Sequence, residues 1–344
     1  MFIVLLIYFS NDLVSSLKAS KGTVEYYMFL IIYIFSSTYL LFFSDLLTFY
    51  AAFELQNLCV YSIMAISSRK MSFFALRYFF LSSFISFIIL FYVFSVLYYT
   101  HSMDISGIIS IESKINNMLL VVFTFKFGIF PFTFWLIEFY KNFTNASLSF
   151  FVAITKVPIF FVFIKFSGYM DINIFFIIYL VISFILSFIS MLTNLKNATV
   201  FFAFSSSNTL VFLLLYIFLG EGVDLYTIIY FVYYIISLCI LFKFVDLCNI
   251  PKNYITLVLF FLLFGLPFSF LFFIKLYMLN SIFIHIGFVK YLTFLVIYIL
   301  SYIPYFLFMF SHKTANNILT INNKYDLNIL IFYIILSIFL VFFL

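Results

Sequence analysis

The sequence is a succession of apolar runs about twenty residues long, separated by short polar interruptions. A helix needs roughly 20 predominantly apolar residues to cross a hydrocarbon core about 30 Å thick. Reading the interruptions as loops gives segments at 1–17, 26–43, 46–66, 72–99, 117–137, 147–167, 172–193, 197–219, 225–247, 254–282, 289–311 and 328–344. The first is interrupted by Asn11 and Asp12, and the longest loops, 100–116 and 312–327, are too small to form extramembrane domains. With 67% hydrophobic and 8% charged residues, no soluble fold can hide the apolar surface, since soluble domains run near half apolar and a quarter charged. The expected fold is therefore an all-α polytopic membrane protein of about 11–12 transmembrane helices. An excess of Phe (59) and Tyr (27) beside a single Trp, with Gly and Pro scarce, follows AT-rich codons and suggests an organelle genome.

Several function classes fall away. Cys59, Cys239 and Cys248 lie in or beside apolar runs and form no CxxC or His-Cys cluster, so no zinc, haem or iron–sulfur ligation is signalled. The net charge of +5 is scattered over short loops without a polybasic block, which excludes nucleic acid as a partner. Neither GxGxxG, P-loop, GxSxG nor HExxH is present, so no nucleotide, flavin or catalytic metal is expected on this chain. The N-terminus, MFIVLLIYFS, lacks a basic n-region and a small-residue cleavage site, so no removed targeting segment is expected.

Loop charges set an orientation. Lys18, Lys21, Arg69, Lys70, Lys141, Lys196, Lys252, Lys313 and Lys324 fall on one side, and Lys114, Lys165 and Lys290 on the other. The remaining basic residues, Arg77, Lys126, Lys156, Lys243 and Lys275, lie within predicted spans. Arg77 and Lys243 are close enough to a span end to snorkel to the interface. Lys126 and Lys156 fall about 13 Å into their spans at the helical rise, near the midplane. Glu54 is similarly deep in its own. A lone charge there costs at least about 2.5–3.5 kcal/mol, so Glu54, Lys126, Lys156 and Lys275 should face the bundle interior and pair. A buried lysine beside a carboxylate changes its proton affinity with the partner's charge, and a row of such groups is a proton relay. Glu54 and Lys126 are expected to form a switchable pair, continued laterally by Lys156 and Lys275. Helix-packing ion pairs are the structural alternative.

An internal repeat accompanies them. GIFPFTFW contains Pro131 and FGLPFSFL contains Pro267, each in a span that carries a buried lysine. The two spans are five apart, an odd offset, which is the arrangement of inverted repeats with broken helices. Proline frees backbone groups that must find other partners, so such breaks mark functional places.

The stretch FKFGIFPFTFWLIEFYKNFTNASLSFFVAITK, residues 125–156, resembles the antiporter-like subunits of respiratory complex I, whose corresponding segment reads K, PFHxW, PDVYxGAP and a second K. Lys126, Pro131-Phe132, Trp135, Tyr140 and Lys156 match at the family's spacing. The segment around FELQ resembles the family helix with a buried Glu, here Glu54, and is most similar to the subunit 2 branch. ALRYFFLSS is similar to that branch's LKYFxxGA, with Arg77 in place of Lys. FFAFSSSNTLVFLLL resembles a LAYSSI segment, and FGLPFSFLFFIKLY matches GIPxxxGFxxKFY at Gly265, Pro267, Lys275 and Tyr277. The resemblance covers roughly 26–310. The chain departs from the pattern at Thr133 (family His), at Ile137-Glu138 (family Pro-Asp), at Asn142, Thr144 and Ala146 in the loop, and at Leu271 and Ile274 near Lys275. Sister subunits 4 and 5 are disfavoured by FELQ and by the absence of a long lateral C-terminal helix.

The resemblance implies a proton-translocating membrane-arm subunit of mitochondrial NADH:ubiquinone oxidoreductase, organelle-encoded and multi-pass in the inner membrane. It implies a relay of Glu54, Lys126, Lys156 and Lys275, with Arg77, Pro131, Glu138 and Pro267 in support. No cofactor is expected on this chain, and NADH, FMN, iron–sulfur clusters and ubiquinone are expected on other subunits. Expected partners are the lipid bilayer, a neighbouring antiporter-like subunit and small membrane subunits. The expected organisation is an N-terminal helix and loop at 1–25, a first antiporter-like repeat at 26–167, a second inverted repeat at 172–311, and a loop with a C-terminal helix at 312–344. A free-standing cation/proton antiporter and a non-conducting structural subunit are the alternatives.

Overall fold

The computed structural model describes residues 23–67, 69–105, 113–143, 145–170, 174–220, 222–244, 259–260, 262–266, 269–286 and 288–311. The predicted first and last spans, at 1–17 and 328–344, and Pro267 lie outside the described residues. Among those described, no strand forms, and Asp45 and Asp104 meet as a single antiparallel bridge. Among the described residues, six helices are long and apolar enough to cross a membrane, within Val24–Phe42, Leu46–Ile66, Met71–Thr100, Ile174–Thr193, Ala198–Leu219 and Leu225–Phe242. The protein is a polytopic all-α membrane protein, as its apolar runs require.

The chain divides into two units, the first made of Met1–Thr144 and Phe150–Asn173, the second of Asn145–Ser149 and Ile174–Leu344. In the first, α1 (Thr23–Phe42), α2 (Leu46–Ser67) and α3 (Arg69–Thr100) follow one another with very short connections. Helices that pack against each other across such short loops must run antiparallel, and α2 packs on both α1 and α3. Next come α4 (Met118–Phe127) and α5 (Thr133–Asn142), both packed on α3, and then α6 (Asn145–Ser167). Phe151 of α6 meets Tyr33, Phe139 and Phe143, while Phe163 and Phe166 meet Phe43, Phe49, Phe123 and Phe127.

Helix ends in this unit find partners. Leu46 N–H donates to the Met103 carbonyl at 2.9 Å, so the loop after α3 caps the start of α2. Lys165 Nζ donates to the Leu41 carbonyl at 2.8 Å, placing a cation on the last turn of α1, where the helix dipole is negative. Inside the helices, serine hydroxyls donate to carbonyls three or four residues back, as Ser36, Ser82, Ser86 and Ser95 do. In an apolar surrounding that bond satisfies the hydroxyl without any outside partner.

The second unit is built around α8 (Ala198–Leu219), which packs on α7 (Ile174–Thr193), α9 (Leu225–Phe244), α10 (Phe270–Ile286) and α11 (Phe288–Ser311). Every residue of α8 except Thr199 is buried. At one end Phe201 and Phe202 interlock with Phe260, Phe264, Tyr305 and Phe308. At mid-length the same helix buries Ser205, Ser206, Ser207, Asn208 and Thr209, and Ser187 of α7 donates to Asn208 Oδ1 at 2.9 Å.

Candidate functional site

The site begins where α4 stops. Gly128 takes φ +67°, its N–H donates to the Phe125 carbonyl at 3.0 Å, and Ile129 N–H donates to the Thr124 carbonyl at 2.9 Å. This pair of bonds closes a helix when a residue adopts the left-handed conformation, which glycine does without strain. Pro131, three residues on, cannot continue the ladder, and Phe130-Pro131 is cis. The chain turns through Phe132, whose N–H donates to the Ile129 carbonyl at 2.8 Å, and α5 resumes at Thr133. Trp135 bridges the break, its indole N–H donating to the Phe125 carbonyl at 3.0 Å. The carbonyls of Thr124 and Phe125, released by the end of the ladder, thus keep donors.

Lys126 occupies the last turn of α4 and is only 6% exposed. Its Nζ donates to Asn57 Oδ1 at 2.6 Å and Gln56 Oε1 at 3.3 Å, and lies 4.2 Å from the centre of the Phe53 ring. Helix spacing puts residues 53, 54, 56 and 57 of α2 on one side, because neighbours three or four apart share a face. Asn57 Nδ2 donates to Glu54 Oε2 at 3.4 Å, and the Tyr78 hydroxyl donates to Asn57 Oδ1 at 3.4 Å. The expected Glu54–Lys126 pair is therefore joined through the Asn57 amide, not by direct contact. Two amide oxygens, an aromatic face and the carbonyl end of α4 thus surround Lys126 Nζ.

Beside this cluster is a cavity of about 60 Å³ lined by residues that include Arg77, Tyr78, Trp135 and Glu138. It has room for a few water molecules, but Met64, Met71, Phe74, Phe134 and Phe139 make most of its wall apolar, so water there would depend on Arg77 and Glu138. Tyr78 and Trp135 belong to both places, since the Tyr78 ring packs on Phe125 and Trp135 while its hydroxyl reaches Asn57. The Arg77 guanidinium, exposed, lies 5.6 Å from the Phe74 ring centre.

Lys156 is buried in α6, at 2% exposure. Seven residues separate it from Phe163, two helical turns, so the two share a face, and Phe163 meets Phe123 and Phe127 of α4. Lys275 belongs to the second unit and is equally buried, at 3%. Its Nζ stands 5.0 Å from the Tyr302 ring centre, 5.6 Å from Phe212 and 5.9 Å from Tyr230. Gly265, again at φ +67°, faces this ammonium, a Cβ there coming 3.6 Å from Nζ. The Lys243 side chain lies outside the described residues.

Sequence reading singled out the charges but passed over Gln56, Asn57 and Tyr78. The signal was present: two adjacent amides in the middle of an apolar span carry the same demand for partners as a charge, at smaller cost. The ring cage of Phe212, Tyr230 and Tyr302 left no such signal, because the sequence has 59 Phe and 27 Tyr spread along its apolar runs.

These features define a class, a multi-pass helical membrane protein with ionisable side chains buried at an interrupted helix. Residues 44–254 match the family described as NADH:quinone oxidoreductase/Mrp antiporter, transmembrane, and the chain belongs to that family. Subunit N of NADH-quinone oxidoreductase from Francisella tularensis subsp. holarctica is 30% identical over 167 residues, covering 44% of this chain and 34% of the relative. The match thus spans about a third of that protein's length. Among solved structures, respiratory complex I from Thermus thermophilus superposes with a TM-score of 0.79 at 18% identity, covering 98% of this chain and 82% of the other. The archaeal membrane-bound sulfane sulfur reductase complex gives 0.76 at 14%, covering 98% and 77%. The Mrp complex of a Dietzia species gives 0.63 at 16%, covering 84% and 60%. At these identities the structures show the shared fold.

Proposed function

We propose that the chain is the antiporter-like subunit 2 of the membrane arm of mitochondrial NADH:ubiquinone oxidoreductase and relays protons across the inner membrane. The single observation that carries this reading is Lys126. It is a buried lysine at the end of a broken helix, held by an amide that also holds Glu54. The family match and the relative's description as a subunit of NADH-quinone oxidoreductase support the complex I setting. In this reading the chain carries no cofactor. NADH, FMN, the iron–sulfur clusters and ubiquinone are bound by other subunits, and a neighbouring antiporter-like chain and small membrane subunits are its partners.

Glu54 responds to events at the partner surface, Lys126 gains or releases a proton as the charge beside it changes, and Lys156 and Lys275 continue the relay. Arg77 and Glu138 line the cavity beside the Lys126 cluster, and Pro131 keeps its helix interrupted. The test is proton translocation by the assembled complex in sealed vesicles. Glu54→Gln and Lys126→Met should each lower the protons moved per NADH and the coupled quinone reduction, with assembly intact. Native values in both variants would overturn the assignment.

A further inference from the structure

The Glu54–Lys126 connection depends on a side chain that cannot itself hold a proton. Asn57 presents its two ends to two opposite charges, Oδ1 to the Lys126 ammonium at 2.6 Å and Nδ2 to the Glu54 carboxylate at 3.4 Å. An ammonium only donates and an ionised carboxylate only accepts, so this is the one orientation in which both contacts are favourable. Turned over, the amide would set donor against donor at the lysine and acceptor against acceptor at the glutamate. The orientation of Asn57 is therefore written by the charges on either side of it. A primary amide neither gains nor loses a proton in the physiological range. It transmits the charge of one partner to the other by its dipole and blocks direct proton transfer between them.

We propose that Asn57 is a positioning residue that couples the charge of Glu54 to Lys126 while insulating the two from proton exchange. The inference rests on the reading above and adds to it the element by which the pair communicates. Protonation of Glu54 removes the anion that fixes Nδ2 and loosens the amide. Oδ1 is then free to favour the Tyr78 hydroxyl, which already stands 3.4 Å from it. Lys126 loses its shortest bond and keeps Gln56 Oε1 at 3.3 Å as its remaining amide acceptor. A change at the carboxylate thus becomes a change in how firmly the ammonium is held. No proton has passed between them.

The assembled complex in sealed vesicles provides the test, with protons per NADH, quinone-reductase turnover and its pH profile as readouts. Asn57→Leu keeps the volume and removes both contacts. Turnover and protons per NADH should fall several-fold, and Glu54→Gln/Asn57→Leu should be no worse than Glu54→Gln alone, because both changes cut one connection. Asn57→Asp keeps size and shape, which preserves packing should the leucine variant fail to assemble. It sets a carboxylate against Lys126 in place of the neutral amide, so turnover should fall and its pH profile should move to the alkaline side. A role in packing alone predicts a native pH profile for Asn57→Asp and a double variant in which the two losses multiply. Either of those results overturns the inference. Loss in Glu54→Gln with native behaviour in the Asn57 variants defeats the insulator alone, whereas native behaviour in Glu54→Gln defeats the relay itself.

Discussion

Gly128 and Gly265 hold the same backbone conformation, φ +67° in each, and each follows the phenylalanine that ends a helical run. In each, a Cβ would meet a leucine at 3.2 Å, Leu136 in one case and Leu271 in the other. Two places of one chain thus put a left-handed glycine after a helical run, and both adjoin a buried lysine.

Alanine at either glycine brings two penalties at once, a left-handed backbone and a crowded methyl group. Gly128→Ala and Gly265→Ala should each destabilise their unit by about 1–2 kcal/mol. Gly168, around which nothing comes within 4 Å of the added carbon, is the control, and Gly168→Ala should be neutral. Thermal unfolding of the assembled complex, followed subunit by subunit, checks the difference.

The indole of Trp135 holds the Phe125 carbonyl across the break while its ring packs on Phe125, Tyr78 and Phe139. Trp135→Phe keeps an aromatic body and removes the donor, leaving the Phe125 carbonyl with the Gly128 N–H alone, at a cost of about 0.5–1.5 kcal/mol for the one hydrogen bond lost. Hydrogen exchange over residues 118–142 should become faster in that variant while the rest of the chain keeps its native protection.

Lys275 has three ring faces around its ammonium, and each contributes about 0.5–2 kcal/mol to holding the charge. Tyr302→Phe, which keeps the ring, should leave coupled quinone reduction near native. Tyr302→Leu, which removes it, should slow the same activity. Equal rates in the two would show that the ring face does not matter to Lys275.

Arg77 and Glu138 line the cavity that shares Tyr78 and Trp135 with the Lys126 cluster. Replacing Glu138 by Leu removes one of the two charged groups in an otherwise largely apolar wall and disfavours water there. Coupled turnover should drop several-fold, while electron transfer from NADH to a soluble acceptor should stay native. Glu138→Gln, which still binds water, should be milder in the same assay.

Much of this architecture was legible because a bilayer imposes simple demands. Apolar runs of the right length become helices, and Glu54, Lys126, Lys156 and Lys275 stood out since charges in such runs need a reason. The burial of the three lysines and the break at Gly128 follow from the same rules. How Glu54 reaches Lys126 did not follow. A direct ion pair and a pair bridged by Asn57 have the same residue spacing and differ only in which side chain sits a few ångströms nearer. The Lys275 cage was hidden for a different reason, since three rings among so many carry no information until the helices bring them together.

The burial of α8 on every side has a consequence for how the chain reaches its final form. A helix with no face left for lipid cannot rest in the bilayer as it does in the finished protein until α7, α9, α10 and α11 surround it. Until Phe270–Ser311 has been synthesised, Phe201, Phe202, Phe212 and Tyr216, which meet Ser281, Phe294, Tyr305 and Phe308 in the finished protein, lie open to acyl chains or to the machinery that inserts the helix. The last helices of this unit therefore act as its closing staves, and damage to them should send an inserted but unfinished subunit to membrane proteases before it meets any partner.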